Sequence, residues 1–266
     1  MLNDDLIHEK ITIPAQKPRT SRLRLLELLT INLTNYTATI VNGRAGSGKT
    51  TLCADFARRA IRPVRWYKVD ASDAELSVFC RYLIATLKLQ CPSFDERHML
   101  QLTESDTANR VELLAEALVF QLNDHCAEPL LVIIEDLHLI YDADWVVPFF
   151  HRLLPLLPAN LHLILTCRSL PPAPLWRLRS KQMLRVIDES ELAFTLQETT
   201  VLFGTYGLTE EHARIAWRET NGRAAAISNF AATPGRAGRA VADNFLTFET
   251  RCISGPLAGR SRDLQT

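Results

Sequence analysis

One glycine-rich stretch, residues 39–51, constrains this chain more than any other feature; it reads Thr-Ile-Val-Asn-Gly-Arg-Ala-Gly-Ser-Gly-Lys-Thr-Thr. Gly43 and Gly48 are separated by four residues and followed by Lys49, as the phosphate-loop pattern requires. Glycine lets the backbone turn tightly and approach a ligand closely, and the N–H groups of such a loop and of the helix behind it point at an anion. In this pattern the lysine reaches the outer phosphates, and the next hydroxyl, here Thr50, ligates Mg²⁺.

The sequence around this loop has the context that the pattern needs. Residues 38–41 have the composition of a buried strand, and residues 51–60 place apolar side chains at helical spacing. The alternative is a glycine- and serine-rich turn that matches by chance, and it accounts for neither flanking element. The predicted nucleotide-contacting residues are Gly43, Arg44, Ala45, Gly46, Ser47, Gly48, Lys49, Thr50 and Thr51.

An acidic pair, Glu135 and Asp136, follows the apolar run of residues 129–134. Such a run suits a parallel strand that is covered on both faces. A carboxylate at the end of this strand can hold Mg²⁺ through water, and its neighbour can position or deprotonate an attacking water. By position we predict the metal role for Glu135, together with Thr50, and the water role for Asp136; a slip of one residue would exchange them. Taken alone, an acidic pair in this place is also typical of a solvated turn.

Arg168 stands just after a predicted strand over residues 161–166. An arginine there can stabilise the charge of a transferring phosphoryl group or report its loss. An ion pair with a surface carboxylate is the alternative interpretation. Glu135, Asp136 and Arg168 are therefore the predicted catalytic residues, and slow hydrolysis of a nucleoside triphosphate is a hypothesis that the sequence leaves open.

Strands and helices alternate along most of the chain, which is typical of an α/β fold with a mostly parallel sheet. We predict a P-loop NTPase fold with a five-stranded sheet flanked by helices and followed by a small helical domain. The ligand is expected beyond the carboxyl ends of the strands. The predicted strands are residues 38–41, 64–69, 129–134, 161–166 and 183–187.

The pattern changes near residue 190 to short helices, and Thr195 and Glu198 have the spacing of a capping box there. Upstream, Ser72 and Glu75 have the same spacing, and the polar, irregular residues 91–105 predict a surface loop. The predicted segments are an N-terminal arm with a leading helix (1–30), a nucleotide-binding domain (31–190), a helical lid (191–231) and a weakly ordered tail (232–266).

Composition argues against several classes of protein. Lys and Arg number 30 and Asp and Glu number 30, so the net charge gives no electrostatic argument for a nucleic-acid partner. No apolar run approaches the roughly 18 residues of a membrane span, so no membrane partner is expected. Six cysteines are scattered without a Cys-x-x-Cys pair. That distribution favours reduced thiols in the core of a cytoplasmic protein over a disulfide or zinc framework.

Taken in order, the motifs resemble the ATP-binding module of MalT-like, LuxR-type large transcriptional regulators, which are signal-transduction ATPases of the STAND class. The Ala-Gly-x-Gly-Lys-Thr-Thr loop, the Trp-x-x-x-Asp strand, the Phe-x-Arg-Tyr-Leu helix and the acidic strand that continues to histidine all have counterparts. The resemblance implies a regulatory switch that binds ATP with Mg²⁺ and acts through a protein partner or self-association. The resembling segments are residues 21–26, 45–51, 64–70, 79–84, 132–140, 161–169, 192–195 and 220–225.

The chain also departs from this family. The acidic pair is inverted, Cys167 replaces a serine, and Arg223 replaces a tryptophan. Residues 232–266 are too short for the later domains of such regulators and contain no recognition-helix pattern, so DNA binding is not carried over. We therefore expect a truncated or stand-alone module. The alternatives are an AAA-type ATPase or P-loop kinase that acts on another substrate, and a degenerate fragment that does not hydrolyse nucleotide.

Overall fold

The structure is a computed structural model that describes residues 6–105, 107–181 and 183–233. The predicted tail lies outside the described residues from residue 234 onwards. Residue contacts divide the chain into two compact units, of which the first ends at Ala193 and the second begins at Phe194. No helix in the described ranges is both long and apolar enough to cross a membrane.

A five-stranded sheet forms the centre of the first unit, and all of its strand pairs are parallel. The strands are β1 (Ala38–Asn42), β2 (Val64–Lys68), β3 (Leu130–Glu135), β4 (Leu161–Cys167) and β5 (Leu184–Ile187). They are arranged in the order β2-β3-β4-β1-β5. This sheet confirms the predicted fold class, and each strand lies where the sequence predicted it.

Strands β3 and β4 lie in the middle of the sheet and are buried along their whole length. Their sequences are mostly apolar without alternation because helices cover both faces of the sheet. The register pairs Ile134 with Leu165 and Val41 with Thr166. The carboxyl ends of β3, β4 and β1 therefore meet at one edge, which brings together the residues that follow these strands.

Helices cover both faces of the sheet. They are α1 (Leu23–Asn35), α2 (Lys49–Arg59), α3 (Leu76–Lys88), α4 (Arg97–Glu104), α5 (Arg110–His125), α6 (Val146–Leu156), α7 (Ala173–Ser180) and the single turn α8 (Glu189–Leu192). One hydrophobic cluster joins α3, α5 and α6 to the sheet, and the ring centroids of Phe79 and Trp145 in it are 4.8 Å apart. A second cluster packs Leu29 of α1 and Phe56 of α2 against the other side.

The second unit consists of three short helices in the described residues: α9 (Leu196–Gly204), α10 (Glu210–Thr220) and α11 (Ala224–Ala232). Its core is formed by Phe203, Ala216 and Ile227, together with Phe194, Leu202 and three further alanines. The predicted capping box of Thr195 and Glu198 is present at the start of α9. Each helix is short, so packing of one apolar face, rather than helix propensity, stabilises this unit.

The N-terminal arm docks on β2, which is an edge strand. A 3₁₀ turn, His8–Ile11, contacts β2 and α3. The Lys10 ammonium is buried there, 2.6 Å from Asp73 Oδ1 and 3.1 Å from Asp70 Oδ2. It also lies 4.0 Å from the centroid of the Tyr82 ring. Lys10 thus fastens the arm to the segment that follows β2.

The predicted capping box of Ser72 and Glu75 is wrong. Asp70 and Asp73 form the box instead, at the start of a 3₁₀ turn, Ala71–Ala74. The Ser72 hydroxyl donates to Asp70 Oδ1 over 2.6 Å, so it does not cap α3. An aspartate two residues before a serine competes for the serine's N–H and O–H, which the spacing rule alone does not consider.

Two predictions about residues 91–126 are also corrected. The stretch predicted as a loop contains α4, in which Met99 and Thr103 are buried and Leu100 and Leu102 also pack against the core. Cys91 and Cys126 form a disulfide between the end of α3 and the end of α5, although the sequence predicted unpaired thiols. The two cysteines are 35 residues apart in the sequence, so no short sequence motif predicts that they pair. The remaining described cysteines are free and buried, as predicted: Cys53, Cys80 and Cys167.

Candidate nucleotide site

The phosphate loop connects β1 to α2 at the carboxyl edge of the sheet. Gly46 and Gly48 have positive φ angles, 78° and 86°, in the region that favours glycine. Gly43 is constrained by space instead, because a Cβ there would lie 2.8 Å from Ser47 Oγ and 3.2 Å from Leu192 Cδ1. The shape of the loop therefore requires its glycines. Behind it, the first N–H groups of α2 have no partner within the helix.

The Lys49 side chain folds back into this loop and is only 6% exposed. Its ammonium donates to the carbonyl oxygens of Gly43 and Arg44, the latter over 3.1 Å, and lies 3.4 Å from Ser47 Oγ. Burial lowers the pKa of Lys49, while the nearby charge of Asp136 favours the ammonium. All three hydrogen-bond acceptors are uncharged, so phosphate oxygens would be stronger partners for this cation.

Thr50 and Glu135, for which the sequence predicts a metal role, meet across the loop. The Thr50 hydroxyl donates to Glu135 Oε1. Glu135 is 2% exposed, and burial raises the pKa of its carboxyl group. Its other oxygen, Oε2, is buried and makes no hydrogen bond in the described residues, although the Trp66 side chain is near enough to favour the ionised carboxylate. A buried carboxylate oxygen without a donor is costly unless a cation or a proton meets it, so this pair fits Mg²⁺.

The protein would supply only part of the shell of such an ion. The described residues contain no cluster of three or more His, Cys, Asp and Glu side chains that could hold a metal. Mg²⁺ in nucleotide sites is usually held by one or two protein oxygens, substrate phosphates and water. The Thr50 and Glu135 pair matches that sparse arrangement.

Asp136 lies in the left-handed region with a φ of 58°, which is uncommon for a residue other than glycine. Its N–H donates to the Thr166 hydroxyl over 3.0 Å. Its Oδ1 is 3.7 Å from Arg168 Nε and 3.8 Å from His138 Nδ1. The turn at Asp136 directs its carboxylate to Arg168, while the Glu135 carboxylate meets Thr50.

Arg168 follows β4, between the acidic pair on β3 and the loop on β1. The carbonyl of the preceding residue, Cys167, accepts the Gly43 N–H over 3.1 Å, which fixes the end of β4 against the loop. The Arg168 side chain is half exposed and pairs with Asp136. Arg168 therefore pairs with Asp136, another of the three predicted catalytic residues.

The rest of the predicted set forms the rim of the loop. Arg44, Ala45 and Gly46 are exposed at its tip. The Arg44 side chain pairs with Glu189, with 3.0 Å between Nε and Oε1, and its backbone N–H approaches the same carboxylate. Thr51 is an exposed residue of the first turn of α2.

Sequence reasoning assigned no role to one buried cation at this site. Arg22 donates from Nη1 to the Leu192 carbonyl over 2.6 Å and from Nη2 to the Gly48 carbonyl over 2.9 Å. The Leu192 contact joins residues 170 positions apart in the sequence. The only available signal was its place in the arginine-containing segment that resembles the MalT-like family.

The family described as AAA domain matches residues 32–168, from the end of α1 to the arginine after β4. The chain belongs to the AAA domain family. That match contains the loop, the acidic pair and Arg168, so the AAA domain coincides with the site described above.

The chain also matches the HTH-type transcriptional regulator MalT. It is 36% identical to MalT of Serratia proteamaculans (strain 568) over 199 residues, which is 74% of this chain and 22% of that protein. The same coverage is found for MalT of Yersinia enterocolitica, at 33% identity. These matches confirm the predicted resemblance to a MalT-like P-loop module. The chain spans about a fifth of the length of these relatives.

A solved structure supports the fold independently. A Walker-type ATPase of Pyrococcus abyssi is similar with a TM-score of 0.50, covering 91% of this chain and 79% of that one. The sequence identity is 14%. This AAA domain therefore shares its P-loop NTPase architecture with distant proteins.

Proposed function

We propose that this AAA domain binds ATP together with Mg²⁺ and works as a nucleotide-dependent regulatory switch. One observation carries the proposal: the hydrogen-bond acceptors of the buried Lys49 ammonium are neutral, and the next residue, Thr50, meets Glu135, whose second oxygen is buried without a hydrogen bond in the described residues. A nucleotide phosphate and its metal would satisfy both groups at once. The choice of ATP over other nucleotides rests on the resemblance to MalT-like regulators.

The loop would hold the phosphates. Its N–H groups and those at the start of α2 supply donors, and Lys49 would exchange the carbonyls of Gly43 and Arg44 for phosphate oxygens. Thr50 and Glu135 would hold Mg²⁺, which neutralises phosphate charge when it is bound. The Thr50 hydroxyl, now a donor to Glu135, would instead direct its oxygen to the cation.

Asp136 and Arg168 would sense the terminal phosphate. Asp136 is suited to position or deprotonate a water because its carboxylate is not the one that meets Thr50. Arg168 is 3.7 Å from that carboxylate and half exposed, so it can turn towards added phosphate charge. ATP and ADP differ by this phosphate, which gives the two bound states different contacts, as any ligand-driven switch requires. Hydrolysis at this site is expected to be slow.

The wider biological role is also a proposal. The MalT relatives are transcriptional regulators, so a cytoplasmic protein that acts through a protein partner or self-association is favoured. An AAA-type machine or a P-loop kinase with another substrate is the second candidate, but no described feature supports it over the regulator. A degenerate fragment is disfavoured because the loop, the Thr50–Glu135 pair and Arg168 are all brought together.

Titration calorimetry with ATP and ADP, with and without Mg²⁺, tests the proposal. We expect saturable binding by the wild type that Lys49→Ala abolishes. Lys88→Ala is the matched control, since Lys88 pairs with Glu96 on the surface and should leave binding unchanged. Equal binding by the wild type and Lys49→Ala, or no binding by the folded wild type, would contradict the proposal.

A further inference from the structure

Arg22 joins the phosphate loop to the end of the first unit. We call residues 188–193, the last residues before the second unit, the exit segment. We infer that Arg22 is a positioning residue that couples phosphate occupancy of the loop to the conformation of the exit segment. The inference rests on the proposed function, because it needs a nucleotide in the loop, but it assigns a role that binding alone does not require.

Arg22 is buried, and its guanidinium group donates hydrogen bonds to two different backbone carbonyls. The residue is 6% exposed at the N-terminus of α1. One guanidinium nitrogen holds the Leu192 carbonyl at 2.6 Å and the other holds the Gly48 carbonyl at 2.9 Å. A guanidinium is planar and rigid, so its two outer nitrogens cannot move independently. A shift of either carbonyl is therefore transmitted to the other or breaks a charge-assisted hydrogen bond.

The Gly48 carbonyl belongs to the same planar peptide unit as the Lys49 N–H. That N–H is one of the first in α2, where helices leave donors free for an anion. Phosphate binding would act on the N–H end of this plane, and Arg22 holds its carbonyl end. The same carbonyl also accepts the Leu52 N–H over 2.9 Å, so the peptide plane would move together with the first turn of α2.

Other contacts tie the exit segment to the same place. Arg24 Nη2 donates to the carbonyls of Glu191 and Ala193, over 3.0 and 3.2 Å. Arg44 of the loop pairs with Glu189 of the segment. These two hydrogen bonds of Arg24 go to the exit segment and not to the Gly48 carbonyl. The Arg44 side chain in the other pair is exposed. Arg22 is thus a buried hydrogen-bonded connection between the two, next to the Leu192 side chain that lies near Gly43. Arg24 is a second anchor of the exit segment.

Hydrogen exchange of the exit segment, followed by mass spectrometry, tests this coupling. The amides of Leu192 and Ala193 are suitable reporters because they donate to the carbonyls of Asp188 and Ser190. In the wild type we expect Mg²⁺ with ATP to change their exchange rate by on the order of fivefold relative to the nucleotide-free protein. Titration calorimetry on the same samples establishes independently whether nucleotide is bound.

The decisive variant is Arg22→Lys, whose single ammonium cannot span both carbonyls. We expect it to bind nucleotide and to lose the nucleotide-dependent change in exchange. Arg58→Lys is the matched control: Arg58 also holds two carbonyls, of Pro14 and Gln16, but in the N-terminal arm, and it should behave as the wild type.

The outcomes separate the two proposals. Absence of binding in the wild type would overturn the proposed function, and this inference with it. Binding without any change at Leu192 and Ala193 would overturn the inference alone, even if Arg22→Lys fails to fold. A change that persists in folded Arg22→Lys would also overturn it, because the coupling would then run through another contact.

Discussion

Two buried lysines of this protein have opposite surroundings. Lys10 in the N-terminal arm meets two carboxylates, those of Asp73 and Asp70, and the face of an aromatic ring. Lys49 in the phosphate loop has only carbonyls and a hydroxyl as hydrogen-bond acceptors. Burial removes water from both ammonium groups, but of the two only Lys10 forms ion pairs with carboxylates. Lys10 therefore stabilises the protein, whereas Lys49 is set to meet an anion.

The largest effect is expected from removing Lys10, the lysine that pairs with carboxylates. Lys10→Ala leaves the Asp73 carboxylate, which is fully buried, without its cation. We expect the free energy of unfolding to fall by about 3–5 kcal/mol in urea titrations, which is typical of a broken buried ion pair. Lys17→Ala, an exposed change in the same arm, is the control. A loss below the error of the measurement would show that Lys10 contributes no more than a surface charge.

Removing the disulfide is expected to have the next largest effect. Cys91 and Cys126 close a loop with a sequence separation of 35, and we expect the double serine variant to lose about 2–4 kcal/mol of stability without reductant. Under reducing conditions it should match the wild type. Like Lys10→Ala, this change should leave nucleotide affinity intact once the protein is folded. Finding both thiols free in the purified wild type would refute the assignment.

Asp136→Asn tests the residue that we propose positions the attacking water near Lys49. Asparagine tolerates the left-handed conformation of this position, so the fold should be retained. We expect nucleotide binding to persist and the ATPase turnover to fall by about 10²-fold, the loss typical of a missing general base. Asp144→Asn, an exposed change in the following loop, is the control. Unchanged turnover in Asp136→Asn would assign the water-positioning role elsewhere.

The smallest expected effect concerns pH. Burial raises the pKa of Glu135 above its ordinary value of 4.5, and a metal needs the ionised carboxylate. The increment in ATP affinity that Mg²⁺ confers should therefore be present above the raised pKa and be lost as the pH falls through it. At neutral pH we expect that increment to be about tenfold, or 1.4 kcal/mol.

Glu135→Gln is the variant that isolates this effect. It should abolish the increment and its pH dependence together, while leaving the titration of ATP's own phosphates unchanged. Glu96→Gln, on the surface beside Lys88, serves as the control. The metal assignment fails if Glu135→Gln retains the full Mg²⁺ increment.

The parts of this structure that the sequence could predict are local in sequence or strongly patterned. The loop from Gly43 to Thr50 is a contiguous motif, and β3 and β4 are mostly apolar runs that end at predicted catalytic residues. Parallel strands then bring those ends to one edge without further information. The fold class and the arrangement of Glu135, Asp136 and Arg168 followed from these patterns.

The missed features depend on pairing between distant residues. Lys10 and Asp73 are 63 positions apart, and Arg22 and Leu192 are 170 apart. Neither pairing has a spacing rule, because it depends on how the arm and the exit segment lie on the finished sheet. Helix α4 was missed because its eight residues lie inside a polar, irregular stretch, although its apolar side chains do lie on one face of the helix.

Thermal unfolding with and without Mg²⁺ and ATP tests the central claim most directly. Ligand at 100 times its dissociation constant stabilises a folded protein by about 2.7 kcal/mol, so the melting temperature of the wild type should rise by several degrees. Lys49→Ala should fold as well as the wild type without ligand and show no rise with it. An equal rise in both proteins, or none in the wild type, would contradict the claim that Lys49 is set to meet a nucleotide phosphate.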